Sequence, residues 1–273
     1  MRQLQRRPVR IRRTALAAVC LATAAAVGLT ACGAEDGKVG SAKKSVRDST
    51  ETEKDGAKDP FAGMSGADIA EKAVRTTSGA KSLRIKSDVA DEASGRMSMD
   101  MALDTDGTCA GTMGMGGQGS IELIIPGSTT AYLKYDEKFL RSQSKGEPAA
   151  DVQAAVDMLA DRWAKTRTTS EDAKEIAGFC DLDGLLAGFK DGGSAARRGG
   201  TTTVDGTPAI KLTESDGKEK YTIYVATEGK PYLLRIDTAG GTGAPESLTF
   251  RDYDKPVKAT PPTGDVLDLD KLG

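Results

Sequence analysis

The most distinctive reactive side chains of this chain carry sulfur. It has four cysteines and eight methionines, and histidine is absent from all 273 residues. Without histidine, a thiol catalyst lacks its usual base and a zinc site lacks a common ligand. Cys109 and Cys180 are an even pair, and in an oxidising compartment we expect such a pair to form a disulfide.

The amino terminus has the pattern of an export signal. Six arginines precede an uncharged, alanine-rich stretch over residues 14–29, and this order is typical of a signal peptide. The stretch ends on Leu29-Thr30-Ala31-Cys32, which resembles a lipobox, whose cysteine thiol takes diacylglycerol. We therefore predict a signal peptide over residues 1–31 and acylation of Cys32, including palmitate. The acylated cysteine would hold the protein on the extracellular face of the cell membrane. The alternatives are an ordinary signal peptide or a membrane span, but the apolar run is shorter than the ~20 residues that a span needs.

Charge and composition divide the rest of the chain. Loss of residues 1–31 leaves 32 Lys and Arg against 40 Asp and Glu, so the mature chain is acidic and a nucleic-acid partner is not expected. Residues 32–60 have almost no large apolar side chain and are predicted to form a flexible tether. Residues 61–273 have the length of one domain with a substantial core.

Apolar residues predict one helix and then antiparallel strands. Ser65 is the predicted N-cap of a helix over residues 66–77, with Ile69, Ala70, Ala73 and Val74 on one face. Apolar side chains then alternate with polar ones, which predicts a sheet with one face buried and one face exposed to solvent. The apolar residues of this alternation are Leu83, Ile85, Val89, Met97, Met99, Met101 and Leu103.

The turn before Cys109 decides which face the next side chains share. A two-residue turn at Asp106-Gly107 would place Cys109 and the following methionines on the polar face. A three-residue loop with Gly107 in the left-handed region places them on the apolar face instead. This register sets Met97 opposite Met115, Met99 opposite Met113 and Leu103 opposite Cys109. By the same reasoning, residues 117–119 form the next loop, and Ile121, Leu123 and Ile125 join the apolar face.

A helix is predicted to cover this methionine-rich face. Val152, Val156, Leu159 and Trp163 follow at spacings of four, three and four, as on one face of a helix. Residues 181–189 predict another short helix beside Cys180, and further strands with turn signals follow from Ile210 to Phe250. The order of helix, strands, helices and strands predicts an α+β domain on a large antiparallel sheet.

Two segments resemble the LppX/LprG type of actinobacterial lipoprotein. They are Gly66-Ala67-Asp68-Ile69-Ala70 through Ser78-Gly79-Ala80-Lys81-Ser82-Leu83, and Leu248-Thr249-Phe250-Arg251-Asp252-Tyr253-Asp254-Lys255-Pro256-Val257 with Pro261-Pro262 after it. The resemblance, which extends to the LolA-like carriers, implies a curved half-barrel with helices packed on its concave face. It also implies a cavity that takes acyl chains of lipids, glycolipids or lipoglycans. The low aromatic content of 4% and the Cys109 and Cys180 pair depart from the family's pattern.

The predicted cavity lies between the apolar face and its helices, and we expect it to shelter a lipid or lipoglycan. Its predicted lining is Leu83, Ile85, Met97, Met99, Met101, Met113, Met115, Ile121, Leu123, Val152, Val156, Leu159 and Trp163. Unbranched methionine suits a pocket for varied chains, but the same methionines could simply fill the core. In that case the domain would be an envelope interaction or sensor module that acts through a protein partner. A third hypothesis is Cu(I) binding by the thioether sulfurs.

The sequence motifs that could indicate cofactor binding or catalysis are not supported by the residues around them. Residues 114–119 contain the letters of a dinucleotide fingerprint, yet they lie between two antiparallel strands with no helix after them. A Gly-x-Ser-x-Gly elbow is absent, and the carboxylate pairs Asp181 with Asp183 and Asp265 with Asp268 have no recognisable pocket. The sequence therefore favours a non-catalytic binding protein without a cofactor or metal.

Overall fold

A single mixed sheet dominates the fold. The computed structural model describes residues 59–91, 95–127, 129–187, 189, 193–240 and 246–272. In these residues the order of the strands across the sheet is β12-β6-β5-β4-β3-β2-β1-β11-β10-β9-β8-β7. All neighbours are antiparallel except β12 and β6, which are parallel.

The helices and strands have the following bounds. The helices are α1 Gly66–Ser78, α2 Glu137–Gln143, α3 Ala149–Leu159, α4 Glu171–Gly178, α5 Leu182–Ala187 and a 3₁₀ turn, Leu269–Lys271. The strands are β1 Ser82–Asp91, β2 Gly95–Asp104, β3 Cys109–Met115, β4 Ser120–Ile125, β5 Thr130–Tyr135, β6 Trp163–Arg167, β7 Arg197–Val204, β8 Thr207–Asp216, β9 Glu219–Ala226, β10 Leu233–Gly240, β11 Glu246–Arg251 and β12 Leu267–Asp268. The predicted α+β half-barrel with helices on its concave face is confirmed.

Helix α1 begins at its predicted cap. The hydroxyl of Ser65 accepts a hydrogen bond from the backbone N–H of Asp68 at 3.1 Å, and the Asp68 carboxylate accepts one from the backbone N–H of Ser65 at 3.1 Å. This capping box satisfies two backbone donors that the helix itself leaves free. Ile69, Ala70 and Ala73 are buried, so the apolar face of the helix packs into the core.

The β2–β3 hairpin has the predicted register. Met97 pairs with Met115, Met99 with Met113, and Leu103 with Cys109. Gly107 has φ of 79°, and the Asp104 carboxylate accepts hydrogen bonds from the backbone N–H groups of Asp106 and Thr108, each at 2.9 Å. Glycine adopts this left-handed conformation without a steric penalty, so the loop keeps Cys109 and the methionines on one face.

The prediction that Trp163 is helical is wrong. Helix α3 ends at Leu159, Ala160 is extended, and Asp161 takes a left-handed φ of 54°. Trp163 instead opens β6 opposite Lys134, whose Nζ lies 5.1 Å from the indole centroid. The regular spacing from Val152 therefore continues by coincidence across a helix end, because periodicity alone does not mark where a helix stops.

A disulfide joins the sheet to the helices. Cys109 is the first residue of β3, and Cys180 lies between α4 and α5, 71 residues further along, with the two Cα atoms 5.7 Å apart. The predicted pairing is present. It holds α5 against the core, where Leu182 and Leu186 are fully buried.

Candidate functional site

One row of side chains crosses nine adjacent strands of the concave face. Residues that are direct partners in neighbouring strands share a face, so the register from β8 to β5 defines the row without a gap. We call it the central row: Leu212, Ile223, Ile236, Leu248, Ser87, Met99, Met113, Ile121 and Tyr135. Only Ser87 and the Tyr135 hydroxyl interrupt an apolar stripe, so the row offers a long apolar floor.

A large cavity lies over the methionine half of this row. Its volume is about 960 Å³, which is within the roughly 300–1,000 Å³ of small-molecule sites. The sheet contributes Ser87, Val89, Met97, Ser98, Met99, Met113, Gly114, Met115, Ile121 and Tyr135. The helices and the carboxyl-terminal segment contribute Phe139, Leu140, Gln143, Leu159, Ile176, Phe179, Leu185 and Leu269.

Burial along β2 shows where this cavity opens. Met101 is fully buried, Met99 is half-buried, and Met97 is 37% exposed. The three side chains lie on one face at successive alternate positions, so exposure rises toward the β1–β2 turn. We call this end of the half-barrel the mouth; the opposite end is filled by Leu83, Leu103 and other core residues.

Six of the predicted lining residues form part of the cavity wall: Met97, Met99, Met113, Met115, Ile121 and Leu159. Leu83, Ile85, Met101 and Leu123 share the same face but are at most 1% exposed, and they lie in the core outside the wall. Val152 and Val156 of α3 also lie outside it. Trp163 lies beside Lys134 on the convex face, so its assignment to the cavity is wrong.

Sequence reasoning missed two of the helices that cover the cavity, α2 and α4. Phe139 and Leu140 lie on α2 and Ile176 lies on α4, whereas Leu185 lies on α5, within the short helix that was predicted over residues 181–189. A local signal for α2 was present, since Asp136 caps it by accepting a hydrogen bond from the Phe139 backbone N–H at 2.6 Å. Tyr135 and Phe139 stack with their ring centroids 5.6 Å apart, which orients the start of α2 over the floor.

A second cavity of about 480 Å³ lies over the other half of the central row. It shares Ser87 and Val89 with the larger cavity, so the two meet along β1. Its apolar lining comes from Ala70, Val74, Phe189, Ile223, Leu233, Ile236 and Leu248. Its polar lining includes three carboxylates, from Glu214, Asp216 and Glu246.

The electrostatics of the two cavities differ. Among the described residues, the larger cavity has no charged lining side chain, whereas the smaller one has three acidic side chains and no Lys or Arg. Next to the smaller cavity, the Tyr221 hydroxyl donates a hydrogen bond to Glu219, and this carboxylate raises the pKa of Tyr221.

A metal centre of ordinary ligands does not occur in the described part of the chain, where no three His, Cys, Asp or Glu side chains are placed to hold an ion. The methionine pairs Met97 with Met115 and Met99 with Met113 do face one another across β2 and β3. The Cu(I) hypothesis stays a prediction.

Comparison with known proteins gives a structural match. No family model and no curated protein matches the chain. The crystal structure of LprF from Mycobacterium bovis superposes with a TM-score of 0.50 at 15% identity, covering 73% of this chain and 97% of LprF.

The chain has the fold of LprF.

The Mycobacterium tuberculosis lipoprotein LppX superposes with a TM-score of 0.44 at 15% identity, covering 71% of this chain and 97% of LppX. The match to LprF confirms, at the level of the fold, the resemblance to the LppX/LprG type of lipoprotein. Because almost the whole length of LprF is covered, the match includes both halves of the sheet. None of the described helices has the length and apolar character that crossing a membrane requires.

Proposed function

We propose that this chain is a non-catalytic lipoprotein that binds or carries a lipid, glycolipid or lipoglycan in the cell envelope. In this proposal the acylated Cys32, which lies outside the described residues, holds it on the extracellular face of the cell membrane. The observation that carries the proposal is the large uncharged cavity over the methionine half of the central row. If this face of the sheet served only as hydrophobic core, the protein's own side chains would fill the space above it, as they do at the opposite end of the half-barrel.

Burial of acyl chains supplies the driving force for binding. Each methylene removed from water contributes roughly 0.8 kcal/mol, so an amphiphile with long chains binds tightly without a charged clamp. Methionine adapts to chains of different length and shape because it is unbranched and has three rotatable bonds. The uncharged wall is suited to the apolar part of a lipid, and the mouth gives that lipid a route in.

Native mass spectrometry tests the proposal. Residues 33–273 contain the whole compact unit, Asp55–Gly273, and are expressed behind a cleavable export signal and purified without detergent. We expect acyl species to co-purify at about one per protein, with a lipid extract giving the same masses. Met113→Trp fills the cavity from its floor, and its overpacking should weaken lipid binding about tenfold.

Thr112→Trp is the matched control. Thr112 is adjacent on β3 but belongs to the opposite face, where it is exposed, so the same bulky side chain should leave lipid binding unchanged. Circular dichroism verifies that both variants fold. A lipid-free mass with no uptake of added lipid would overturn the proposal and favour an interaction module with a protein partner. Binding of one Cu(I) that Met99→Leu and Met113→Leu abolish would favour the copper hypothesis.

A further inference from the structure

The smaller cavity has a polar edge that is aligned across four strands. Glu214 pairs with Tyr221, Tyr221 with Thr238, and Thr238 with Glu246. We call these four residues the polar row. Each of the four lies on the concave face, two residues from a member of the central row in the direction of the mouth. The corresponding members of the central row are Leu212, Ile223, Ile236 and Leu248. The concave face therefore changes from apolar to polar side chains at the same level on β8, β9, β10 and β11.

The other half of the sheet does not make this change. At the same level, β1, β2 and β3 carry Val89, Met97 and Met115. All three line the larger cavity, and Val89 lines both. The concave face is thus polar at one side of its mouth and apolar at the other, and this is the asymmetry that an amphiphile requires.

The charge of the polar edge is not compensated within the described residues. Glu214 and Glu246 are half-buried, and Asp216 lies beside them in the cavity lining. A carboxylate oxygen of Glu214 accepts a hydrogen bond from the backbone N–H of Ala195 at 3.2 Å. None of the three belongs to a described ion pair, whereas β10, β11 and β1 carry such pairs on the convex face.

We infer that the smaller cavity is the headgroup subsite of the lipid site and that it selects an amphiphile with a positively charged, ammonium-bearing headgroup over one with an anionic headgroup. The inference rests on the proposed function and deepens it. The acyl chains would lie over the methionine half, and the head would meet the polar row across Ser87 and Val89.

The physical reason is the partial burial of two of the carboxylates, Glu214 and Glu246. Charges near an apolar wall interact more strongly than charges in bulk water because the effective dielectric constant is lower. Any ammonium group there gains attraction to the carboxylates, and an ammonium group with N–H donors also gains hydrogen-bond acceptors, including the Thr238 hydroxyl. A phosphate group would meet three like charges where no described Lys or Arg side chain lines the cavity, and like-charge contact disfavours binding.

A competition among three lipids with identical acyl chains tests the inference. Dioleoyl lipids bearing a trimethylammonium, a plain glycerol hydroxyl or a phosphatidylglycerol head are offered at equal amounts in phosphatidylcholine vesicles to residues 33–273. Native mass spectrometry then measures which lipid the protein has taken. We expect the ammonium lipid to exceed the phosphatidylglycerol by about tenfold, as two or three partly exposed ion pairs would give, with the diacylglycerol in between.

Paired variants separate the subsite from the general charge of an acidic protein. Glu214→Gln, Asp216→Asn and Glu246→Gln together should reduce the preference to within about twofold. The control is Asp106→Asn, Glu147→Gln and Glu228→Gln, which neutralises the same number of exposed carboxylates away from both cavities. It should keep the preference. Raising the salt should shrink the preference of the wild type only partly, because partly buried charges are screened less than exposed ones.

The outcomes distinguish this inference from the proposed function. Uptake of all three lipids without preference, or an equal loss of preference in both triple variants, would overturn the headgroup subsite and leave the lipid carrier intact. A preference for phosphatidylglycerol would overturn it as well. Failure of the wild type to take up any of the three lipids would count against the proposed function itself.

Discussion

At the scale of single residues, Asp254 joins three separate parts of the chain. Its carboxylate accepts hydrogen bonds from Lys230 Nζ at 2.8 Å, the Tyr232 hydroxyl at 2.6 Å and the Lys81 backbone N–H at 3.0 Å. The Tyr232 ring stacks on Tyr253 with centroids 3.9 Å apart. These contacts hold the pKa of Asp254 below its usual range, with the Lys230 hydrogen bond as the largest cause.

The lowered pKa predicts acid sensitivity that can be assigned to this carboxylate. A carboxyl group with a lower pKa in the folded state stabilises the fold above its unfolded pKa of about 3.9, and the stabilisation is lost as the pH falls below that value. We therefore expect Asp254→Asn to lower the free energy of unfolding at pH 7 by about 1 kcal/mol. Between about pH 4 and pH 2 the difference from the wild type should shrink.

Urea unfolding at several pH values makes the measurement. Asparagine is the appropriate replacement because residue 254 has a φ of 57°, which asparagine tolerates better than most residues. Glu228→Gln, at an exposed turn, serves as the control and should change nothing. A pH-independent difference between Asp254→Asn and the wild type would show that the ionised carboxylate is not the cause.

Residue types predicted the sheet register better than they predicted the cavity wall. Gly107 and the alternation on either side of it determine one register, and the structure has it. The same alternation does not distinguish Met101, which is buried, from Met97, which is 37% exposed. Both are methionines on one face of β2, and their difference arises from what covers each end of the strand.

At the scale of elements, the disulfide attaches two short helices to the sheet. Helices α4 and α5 have eight and six residues, and isolated helices of this length are marginal in water. Their stability therefore depends on packing and on the bond from Cys180 to Cys109. Since Ile176 and Leu185 cover the larger cavity, the bond also positions part of the cavity wall.

Removing the disulfide is predicted to destabilise the domain and loosen these two helices. Cys109→Ser with Cys180→Ser should lower the free energy of unfolding by about 4 kcal/mol in the chain-entropy model, because the closed loop spans about 70 residues. Hydrogen exchange should accelerate most in α4 and α5. Residues 33–273 contain no other cysteine, so alkylation of the unfolded wild type should find no free thiol. Two free thiols, or unchanged stability of the double variant, would contradict this prediction.

The two helices that sequence patterns missed are both short. Helix α2 has seven residues and α4 has eight, and neither gives a run long enough for a helical period to stand out. Ser170 does cap α4 by accepting a hydrogen bond from the Ala173 backbone N–H, but serine is equally common in loops. The longer β1, β2 and α1 carried clear periods and were predicted correctly.

At the scale of the whole molecule, the central row connects parts of the chain that are far apart in sequence. Ser87 on β1 and Leu248 on β11 are direct partners, and this pairing joins the methionine half to the half that carries the polar row. Local patterns predicted each set of strands but not this junction, because only long-range pairing brings the two cavities together. The volume of the cavities also depends on where the helices lie over the sheet, and the periodicity of apolar residues does not determine that placement.

Because the cavities extend over both halves, a ligand that fills them should stabilise the domain as a unit. A ligand that binds only the folded state adds about 2.7 kcal/mol at a hundred times its Kd, which for a domain of this size raises Tm by roughly 5–10 °C. Calorimetry of delipidated residues 33–273, with and without the preferred lipid, measures the shift. Met113→Trp should abolish most of the shift and Thr112→Trp should keep it. An equal shift in both variants would mean that the lipid binds to an outer surface, and the concave face would then lose its assigned role.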